Sequence, residues 1–325
     1  MFRSFLKCLA VASACTIAAT PLALAQSYPT KSIRLICPFP PGGAVDIASR
    51  AIANELSKTI GQQVVVENKP GAGGNIGGAE AARAAPDGYT IFMTTSGISA
   101  INPALYSKMP FDPNKDLAPV SALVSLNNVL VVHPSVAAKS VTEIIALAKA
   151  QPGKMTYASS GSGTSIHMSG EMFKHLAKVD ILHIPYKGSS PALTDMLGGQ
   201  VMMMFDNIPS ALPHIKSGKL RALATTGAKR DATLPDLPTI AEAGVPGYES
   251  GVWFGLLVPA GTPRDIVAKL NAEAVKGTKS PEFVKRMTDL GYNIIGSTPE
   301  QMTEMLKTEV NTWGPIVKAS GAKAD

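Results

Sequence analysis

Residues 37–46 read CPFPPGGAVD, directly after the apolar run Ile33–Ile36, and helical spacing follows them. The chain therefore passes from a buried strand into a helix through prolines and glycines. Each proline fixes φ and favours extended geometry in the preceding residue, while Gly42 and Gly43 carry no side chain where the helix begins. Bare amides at the positive end of a helix form an anion site. The alternative is a tight turn that needs glycine only for its φ angle.

Apolar runs of strand length recur along the chain and alternate with segments of helical periodicity. Because the strands are almost continuously apolar, this alternation predicts an α/β fold with mostly parallel sheets covered by helices. The predicted strands are Ile33–Cys37, Val64–Val66, Tyr89–Thr94, Val129–Val132, Met155–Ala158, Ile181–Ile184, Val201–Phe205, Leu220–Ala224 and Val252–Val258.

Hydroxyl residues before prolines predict three helix starts late in the chain, at Thr262-Pro263, Ser280-Pro281 and Thr298-Pro299. The proline- and glycine-rich stretch 234–247 before them is typical of a chain that crosses between lobes. A length of 325 residues also suits two lobes better than one enlarged core. We therefore expect one lobe to comprise residues 26–125 plus 251–325, and the inserted second lobe to comprise residues 126–250.

The first 25 residues predict a cleavable secretory signal. Arg3 and Lys7 precede a mostly apolar stretch that ends in an A-x-A box, so we expect cleavage after Ala25 and a periplasmic protein. Polar residues interrupt the stretch, which disfavours a retained membrane helix. The alternative is lipidation at Cys15, because residues 12–15 loosely resemble a lipoprotein cleavage box. The exported chain would keep only Cys37, so no internal disulfide is expected.

The charge pattern disfavours a nucleic-acid partner. The formal net charge is +6, but basic residues are scattered, and the nearest approaches to a cluster are Lys229-Arg230 and the Lys318/Lys323 tail. Aromatic residues do not interleave with them, whereas a nucleic-acid surface requires a basic stripe or patch. The mild positive balance favours solubility and weak attraction of anions.

The second predicted lobe repeats the strand-to-helix device of the first. Strand Met155–Ala158 runs into the glycine and hydroxyl residues 159–165, and a helix follows. Similar small residues follow other strands, at Thr94–Gly97 in one lobe and Tyr186–Ser190 in the other. In open α/β sheets, ligands bind beyond the carboxyl ends of the strands. Two lobes with amide-rich turns facing one cleft would close around a shared ligand.

The assembled motifs resemble the Bug family of extracytoplasmic solute receptors over essentially the whole mature chain. They are 38-PFPPGG-43 with Asp46, 67-ENKPGAGG-74, 86-PDGYT-90, G-x-G-T-x-x-H at 161–167, 185-PYKG-188, L-P-x-x-P-T-x-x-E-x-G at 234–244, W-x-G at 253–255 and 259-PAGTP-263. The resemblance implies a two-lobed, type II-like periplasmic binding fold with an interlobe cleft and a small carboxylate ligand. It also implies that main-chain amides and ordered water of the first strand–helix turn hold the carboxylate.

Twelve residues are expected to contact the ligand. Helix capping is the alternative role for the serines and threonines. For Asp46 the alternative is structural, because a carboxylate offsets the helix dipole in the first turn. For His167 a packed histidine bonded to backbone is favoured, and the pair Asp206-Asn207 either selects a ligand amine or caps the next turn. The set is Phe39, Pro41, Gly42, Gly43, Asp46, Ser96, Ser160, Gly163, Thr164, Ser165, His167 and Asp206.

Templates for catalysis and cofactors are missing from the sequence. Neither G-x-G stretch completes a dinucleotide fingerprint, and no P-loop, G-x-S-x-G elbow or H-x-x-x-H spacing occurs. We therefore expect no catalytic residue, no cofactor and no metal. Together with the resemblance to the Bug family, this predicts a monomeric solute receptor that captures a small organic anion, and the resemblance implies delivery to the integral membrane subunits of a tripartite tricarboxylate-type transporter. The alternatives are a receptor that reports to a sensor kinase and, less favoured, an exported hydrolase or transferase.

Overall fold

The computed structural model describes residues 28–320 and 323–324. The signal sequence predicted for residues 1–25 and the lipidation alternative at Cys15 lie outside the described residues. The strands within them are β1 (Ile33–Cys37), β2 (Val64–Asn68), β3 (Thr90–Thr95), β4 (Leu117–Val132), β5 (Thr156–Ser159), β6 (Leu182–Pro185), β7 (Met203–Asn207), β8 (Arg221–Thr225), β9 (Gly251–Pro259) and β10 (Tyr292–Ile294).

Helices follow most of the strands and cover the sheet, as the alternating pattern predicts. They are α1 (Ala44–Ile60), α2 (Asn75–Ala82), α3 (Asn102–Leu105), α4 (Val141–Ala150), α5 (Ser165–Ala177), α6 (Ser189–Leu197), α7 (Ile208–Lys216), α8 (Arg264–Thr278), α9 (Pro281–Asp289) and α10 (Pro299–Ser320). In the described part of the chain, no helix combines the length and apolar character needed to cross a membrane.

The sheet is mixed, with the order β2-β1-β3-β9-β4-β7-β5-β6, and β8 and β10 also pair with β4. The parallel pairs are β1 with β2 and β3, and β5 with β6 and β7. Every antiparallel pair in the described residues involves β4 or β9. The α/β class is therefore confirmed, but the sheet is mixed where mostly parallel sheets were predicted. Five of the nine strand pairs in the described residues are antiparallel, because β4 and β9 run against the βαβ units.

Strand β4 joins two halves of the sheet. Its first part, Leu117–Asn127, pairs with β9, and its last residues, Val129–Val132, pair with β7 and β8. We call β1–β3, β9, β10 and the front of β4, with their helices and loops, the first half. The second half contains the end of β4 and β5–β8. Each half has its own apolar core, because one buried cluster draws on residues 33–126 and 252–306 and two others on residues 129–248.

Two of the three predicted caps are confirmed. Ser280 accepts a hydrogen bond from the amide of Phe283, and Thr298 accepts one from the amide of Gln301. The prediction for Thr262-Pro263 is wrong by one position. Pro263 is itself the N-cap of α8, and the Thr262 hydroxyl donates to the Pro259 carbonyl over 2.7 Å. The hydroxyl therefore closes the turn after β9 and does not cap the helix.

Candidate functional site

The turn between β1 and α1 forms one wall of a small cavity. The N-cap Gly43 has φ −80° and ψ 166°, and no side chain caps the first amides of α1. Because the first four N–H groups of a helix have no partner inside it, these amides stay open to a ligand. Phe39, Gly43, Ala44 and Val45 all line the cavity. This arrangement favours the anion-site interpretation over a turn that needs glycine only for its geometry.

The second half supplies the facing wall. Ser160 follows β5, Thr164 and Ser165 begin α5, Ser189 begins α6 and Asn207 precedes α7. Thr95, Val252 and Phe254 of the first half complete the lining. The enclosed volume is about 20 Å³. The diglycine turn and the hydroxyl-rich turn therefore line the same cavity from opposite halves of the molecule.

Four helices begin at this cavity: α1, α5, α6 and α7. The N-caps Gly43, Gly188 and Asn207 make no side-chain capping bond, whereas Thr164 caps α5 by accepting from the His167 amide. Each helix N-terminus carries a partial positive charge, so four of them together stabilise an anion. None of the residues that line the cavity carries a charged side chain. The attraction for an anion therefore comes from backbone dipoles and neutral donors.

Five of the twelve expected contact residues lie in the cavity wall: Phe39, Gly43, Ser160, Thr164 and Ser165. The other seven lie outside the wall, in the turns that support it or in the layer behind it: Pro41, Gly42, Asp46, Ser96, Gly163, His167 and Asp206. Ser96 is buried one residue beyond the lining residue Thr95.

Asp46 holds the diglycine turn in place. Its carboxylate accepts from the amide of Gly42 at 3.1 Å, from Nε of Arg50 at 3.0 Å and from Nδ2 of Asn68 at 2.8 Å. The Gly42 amide is thereby occupied, and the φ of +86° at this position favours glycine. Asn68 also donates to the Phe39 carbonyl. These bonds support the structural role that was the alternative for Asp46.

His167 supports the hydroxyl-rich turn from beneath. Its Nδ1 accepts from the amide of Gly163 at 3.2 Å, and its ring stacks on His183 with centroids 4.1 Å apart. The Ser159 hydroxyl lies 2.6 Å from Nε2 of His183 and accepts from the amide of Gly161. Burial lowers the pKa of His167 to about 4 and that of His183 to about 3. Both rings are therefore neutral near pH 7, as the Gly163 contact requires.

Asp206 lies directly behind the wall and is fully buried. The Ser189 hydroxyl donates to its Oδ1, and the Ser210 hydroxyl donates to its Oδ2 at 2.7 Å. Burial raises the pKa of the Asp206 carboxyl to about 6, against the lowering effect of these hydrogen bonds. Asp206 is linked to the cavity by the Ser189 hydroxyl and by Asn207, whose backbone amide also hydrogen-bonds to the carboxylate.

Seven residues of the wall lie outside the expected set of twelve: Ala44, Val45, Thr95, Ser189, Asn207, Val252 and Phe254. Thr95 and Ser189 belong to the small-residue stretches Thr94–Gly97 and Tyr186–Ser190, which the sequence places beyond strand ends. The sequence therefore predicts the correct turns but not which residue of each turn lines the cavity. Val252 and Phe254 lie on β9, a strand that runs antiparallel to its neighbours β3 and β4 and contributes these two side chains to the cavity wall. No local pattern in the sequence points to that placement.

Direct contacts join the two halves around the cavity. The Ser190 hydroxyl donates to the Pro41 carbonyl at 2.7 Å, and the Tyr106 hydroxyl donates to the Ser162 carbonyl at 3.1 Å. A Cβ atom on Gly73 would lie only 2.4 Å from the same Ser162 oxygen. The halves therefore meet closely on two sides of the site.

Among the described residues, no group of three or more histidine, cysteine or acidic side chains is placed to hold a metal.

Comparisons with known proteins agree with this geometry. Residues 48–322 match the family described as "Tripartite tricarboxylate transporter family receptor". The structure of periplasmic binding protein BugD is 36% identical with a TM-score of 0.88, and the match covers 92% of this chain and 100% of that chain. Rhodopseudomonas palustris Rpa4515 with adipate is 38% identical with a TM-score of 0.89, and the match covers 91% and 99%.

A third solved structure is MatC from Rhodopseudomonas palustris with bound malate, at 33% identity and a TM-score of 0.86, covering 89% of this chain and 100% of that chain. These similarities confirm the predicted periplasmic binding protein fold. The chain belongs to the tripartite tricarboxylate transporter receptor family, the Bug family of solute receptors.

Proposed function

We propose that this protein is a periplasmic receptor that binds a small carboxylate between its two halves and delivers it to the membrane subunits of a tripartite tricarboxylate-type transporter. The observation that carries the proposal is the convergence of four helix N-termini on one cavity without a charged side chain in its wall. Relatives solved with adipate and with malate support a carboxylate ligand. The protein acts as a binding protein and not as an enzyme, exported as a monomer by a signal cleaved after Ala25.

Binding proceeds by closure of two lobes, residues 26–125 plus 251–325 and residues 126–250. Separate apolar cores and the crossing strand β4 support this division. A cavity of about 20 Å³ offers room for roughly one water molecule, which is too small for a dicarboxylate. The halves must therefore separate for the ligand to enter. Each half contributes donors, so the ligand favours a closed state in which both halves contact it, with the halves further apart than in this structure.

Backbone dipoles are sufficient for useful affinity. A hydrogen bond to a charged group contributes about 1.5–3 kcal/mol. Four or five such bonds shared between the halves give a gross stabilisation of about 6–15 kcal/mol. Micromolar binding requires about 8 kcal/mol. The range leaves room for the cost of closure, since only the surplus appears as affinity.

A thermal-shift and calorimetry screen of small carboxylates tests the proposal. A binding ligand at about 100 times its Kd adds roughly 2.7 kcal/mol to the free energy of unfolding and raises the melting temperature. Adipate and 1,6-hexanediol form a matched pair of equal chain length, and only the carboxylate is expected to act. A broad panel of mono- and dicarboxylates without any shift would contradict the proposal.

Delivery to a transporter is tested in cells. A deletion strain is expected to lose uptake of the ligand that the purified protein binds, and the wild-type gene is expected to restore it. Loss of ligand-dependent induction of a transporter operon, with uptake intact when that operon is expressed constitutively, would instead support the sensor-kinase alternative. Neither the site nor the comparisons supply an observation that favours this alternative.

A further inference from the structure

The hydroxyl of Ser189 has a fixed direction that restricts what the cavity accepts. Ser189 lines the cavity at the start of α6, and its hydroxyl donates to Oδ1 of Asp206. Asp206 has no exposed surface, and its other oxygen accepts from the Ser210 hydroxyl at 2.7 Å. The carboxylate is therefore enclosed, and the Ser189 hydroxyl links it to the cavity.

A serine hydroxyl has one proton and two lone pairs. An ionised carboxylate only accepts hydrogen bonds, so Asp206 takes the Ser189 proton. Toward the cavity, Oγ of Ser189 then presents lone pairs alone. Thr164 is in a similar state, because its hydroxyl donates to the Gly161 carbonyl at 2.7 Å and accepts from the His167 amide. Two hydroxyls in the wall therefore act as acceptors.

Ser189 lies beside the first turn of α1. A Cβ atom placed on Gly43 would lie 3.8 Å from the Ser189 Cβ, which is van der Waals distance, so the two residues face each other directly. Ser189 therefore faces the amides at the start of α1, and when the halves close on a carboxylate held by those amides, its oxygen adjoins the carbon next to the carboxylate. A donor on that carbon would satisfy the serine oxygen, whereas a bare methylene would leave a buried acceptor without a partner.

We propose that Asp206, acting through Ser189, makes this site selective for carboxylates with a hydroxyl or ammonium group on the carbon next to the carboxylate. The inference rests on the proposed carboxylate-binding function and specifies its ligand class. Asp206 is a positioning residue: it fixes the proton of Ser189 and does not touch the ligand. Its negative charge also favours an ammonium over a second carboxylate in the adjoining space.

Calorimetry at pH 7.5 with two matched series tests the inference: succinate, L-malate and L-aspartate, and propionate, L-lactate and L-alanine. At this pH the carboxyl of Asp206, with a pKa of about 6, is ionised. Within the series that binds, the hydroxy or amino member is expected to bind about tenfold more tightly than the unsubstituted acid. Tighter binding of the hydroxy acid or of the amino acid supports the inference, and equal affinity of all three members of the series overturns it. If no member of either series binds, the same comparison is made between the best acid of the broad panel and its 2-hydroxy and 2-amino derivatives, and equal affinity there overturns the inference. Only a panel without any binding acid refutes the carboxylate-binding function itself.

Three variants separate selectivity from stability. Asp206→Asn replaces one of the two acceptor oxygens with an N–H donor, so the two serine hydroxyls no longer both have a carboxylate oxygen to donate to, and the tenfold preference is expected to shrink. Ser189→Ala removes the acceptor and is expected to bring the affinities of the substituted and unsubstituted acids together, whatever its effect on the affinity of either. Ser210→Ala removes an equivalent bond to Asp206 outside the wall, so it is the control and is expected to keep the preference. Retention of full selectivity in Ser189→Ala would overturn the inference even if Asp206→Asn fails to fold.

Discussion

Acidification should destabilise this protein through the stacked pair His167 and His183. Burial lowers the pKa of His167 to about 4 and that of His183 to about 3, whereas both titrate near 6.5 in the unfolded chain. Below pH 6.5 the unfolded chain binds protons that the folded state refuses. The stability that the neutral rings contribute is thus fully present above pH 6.5 and is lost as the pH falls toward 4.

The size of the effect follows from these values. One pKa unit corresponds to about 1.4 kcal/mol, so 1.5 units between pH 6.5 and pH 5 cost about 2 kcal/mol for each ring. Asp206 acts in the opposite sense, because burial raises the pKa of its carboxyl to about 6 and the folded state gains a proton there first. That gain is about 1.4 kcal/mol at pH 5. The expected net loss between pH 7.5 and pH 5 is about 3 kcal/mol.

Urea unfolding followed by circular dichroism at pH 7.5 and pH 5 measures this loss. A double variant, His167→Gln with His183→Gln, should no longer lose stability on acidification, because glutamine does not titrate. It should instead be about 1.4 kcal/mol more stable at pH 5 than at pH 7.5, because Asp206 still gains its proton. The control His175→Gln replaces a histidine on the exposed side of the same helix and should leave the loss in place. A wild-type protein that is equally stable at both pH values, or a double variant with an unchanged slope, would refute this reasoning.

Three further outcomes are expected. Gly43→Ala should weaken carboxylate binding by about tenfold in calorimetry with a nearly unchanged melting temperature, because a φ of −80° accommodates alanine and the methyl group enters the cavity wall; normal affinity would count against the site. Tyr106→Phe removes the 3.1 Å hydrogen bond to the Ser162 carbonyl, which joins the two halves, so affinity should fall about fivefold, and an unaltered Kd would contradict a role in closure. Gly170→Ala should lower the free energy of unfolding by about 2–3 kcal/mol, because its Cβ would lie 2.2 Å from the ring of Tyr157; an unshifted urea midpoint would contradict the packing.

Local sequence patterns predict those strands that are apolar along their whole length. Strand β1 matches its predicted bounds, Ile33–Cys37, because five residues are enclosed by sheet and helices on both sides. Strand β4 is harder to predict, since only Val129–Val132 is a continuous apolar run. Its front part contains Pro119, Ser121 and register shifts where it pairs with β9. Tertiary pairing imposes the strand there and overrides the local pattern.

The candidate site was also predicted only in part: local patterns identify its turns, whereas tertiary contacts decide which residues face the cavity. Glycines and hydroxyls after β1 and β5 identify the turns that form the cavity, because only small residues allow close approach to helix amides. Sequence alone does not show whether Thr95 or Ser96 faces the cavity, since the choice depends on where β3 ends. It also leaves open whether Asp206 meets the ligand or supports Ser189. That role is set by a hydrogen bond between residues 17 positions apart.

The central claim is that helix N-termini from both halves bind one carboxylate. A crystal structure of the protein with its best ligand from the calorimetric screen measures this directly. We expect the carboxylate within about 3 Å of the Ala44 or Val45 amide and of the backbone amide of Ser165 or Ser189 in the facing wall. A carboxylate bound outside this cavity, or held by residues of one half alone, would contradict the account.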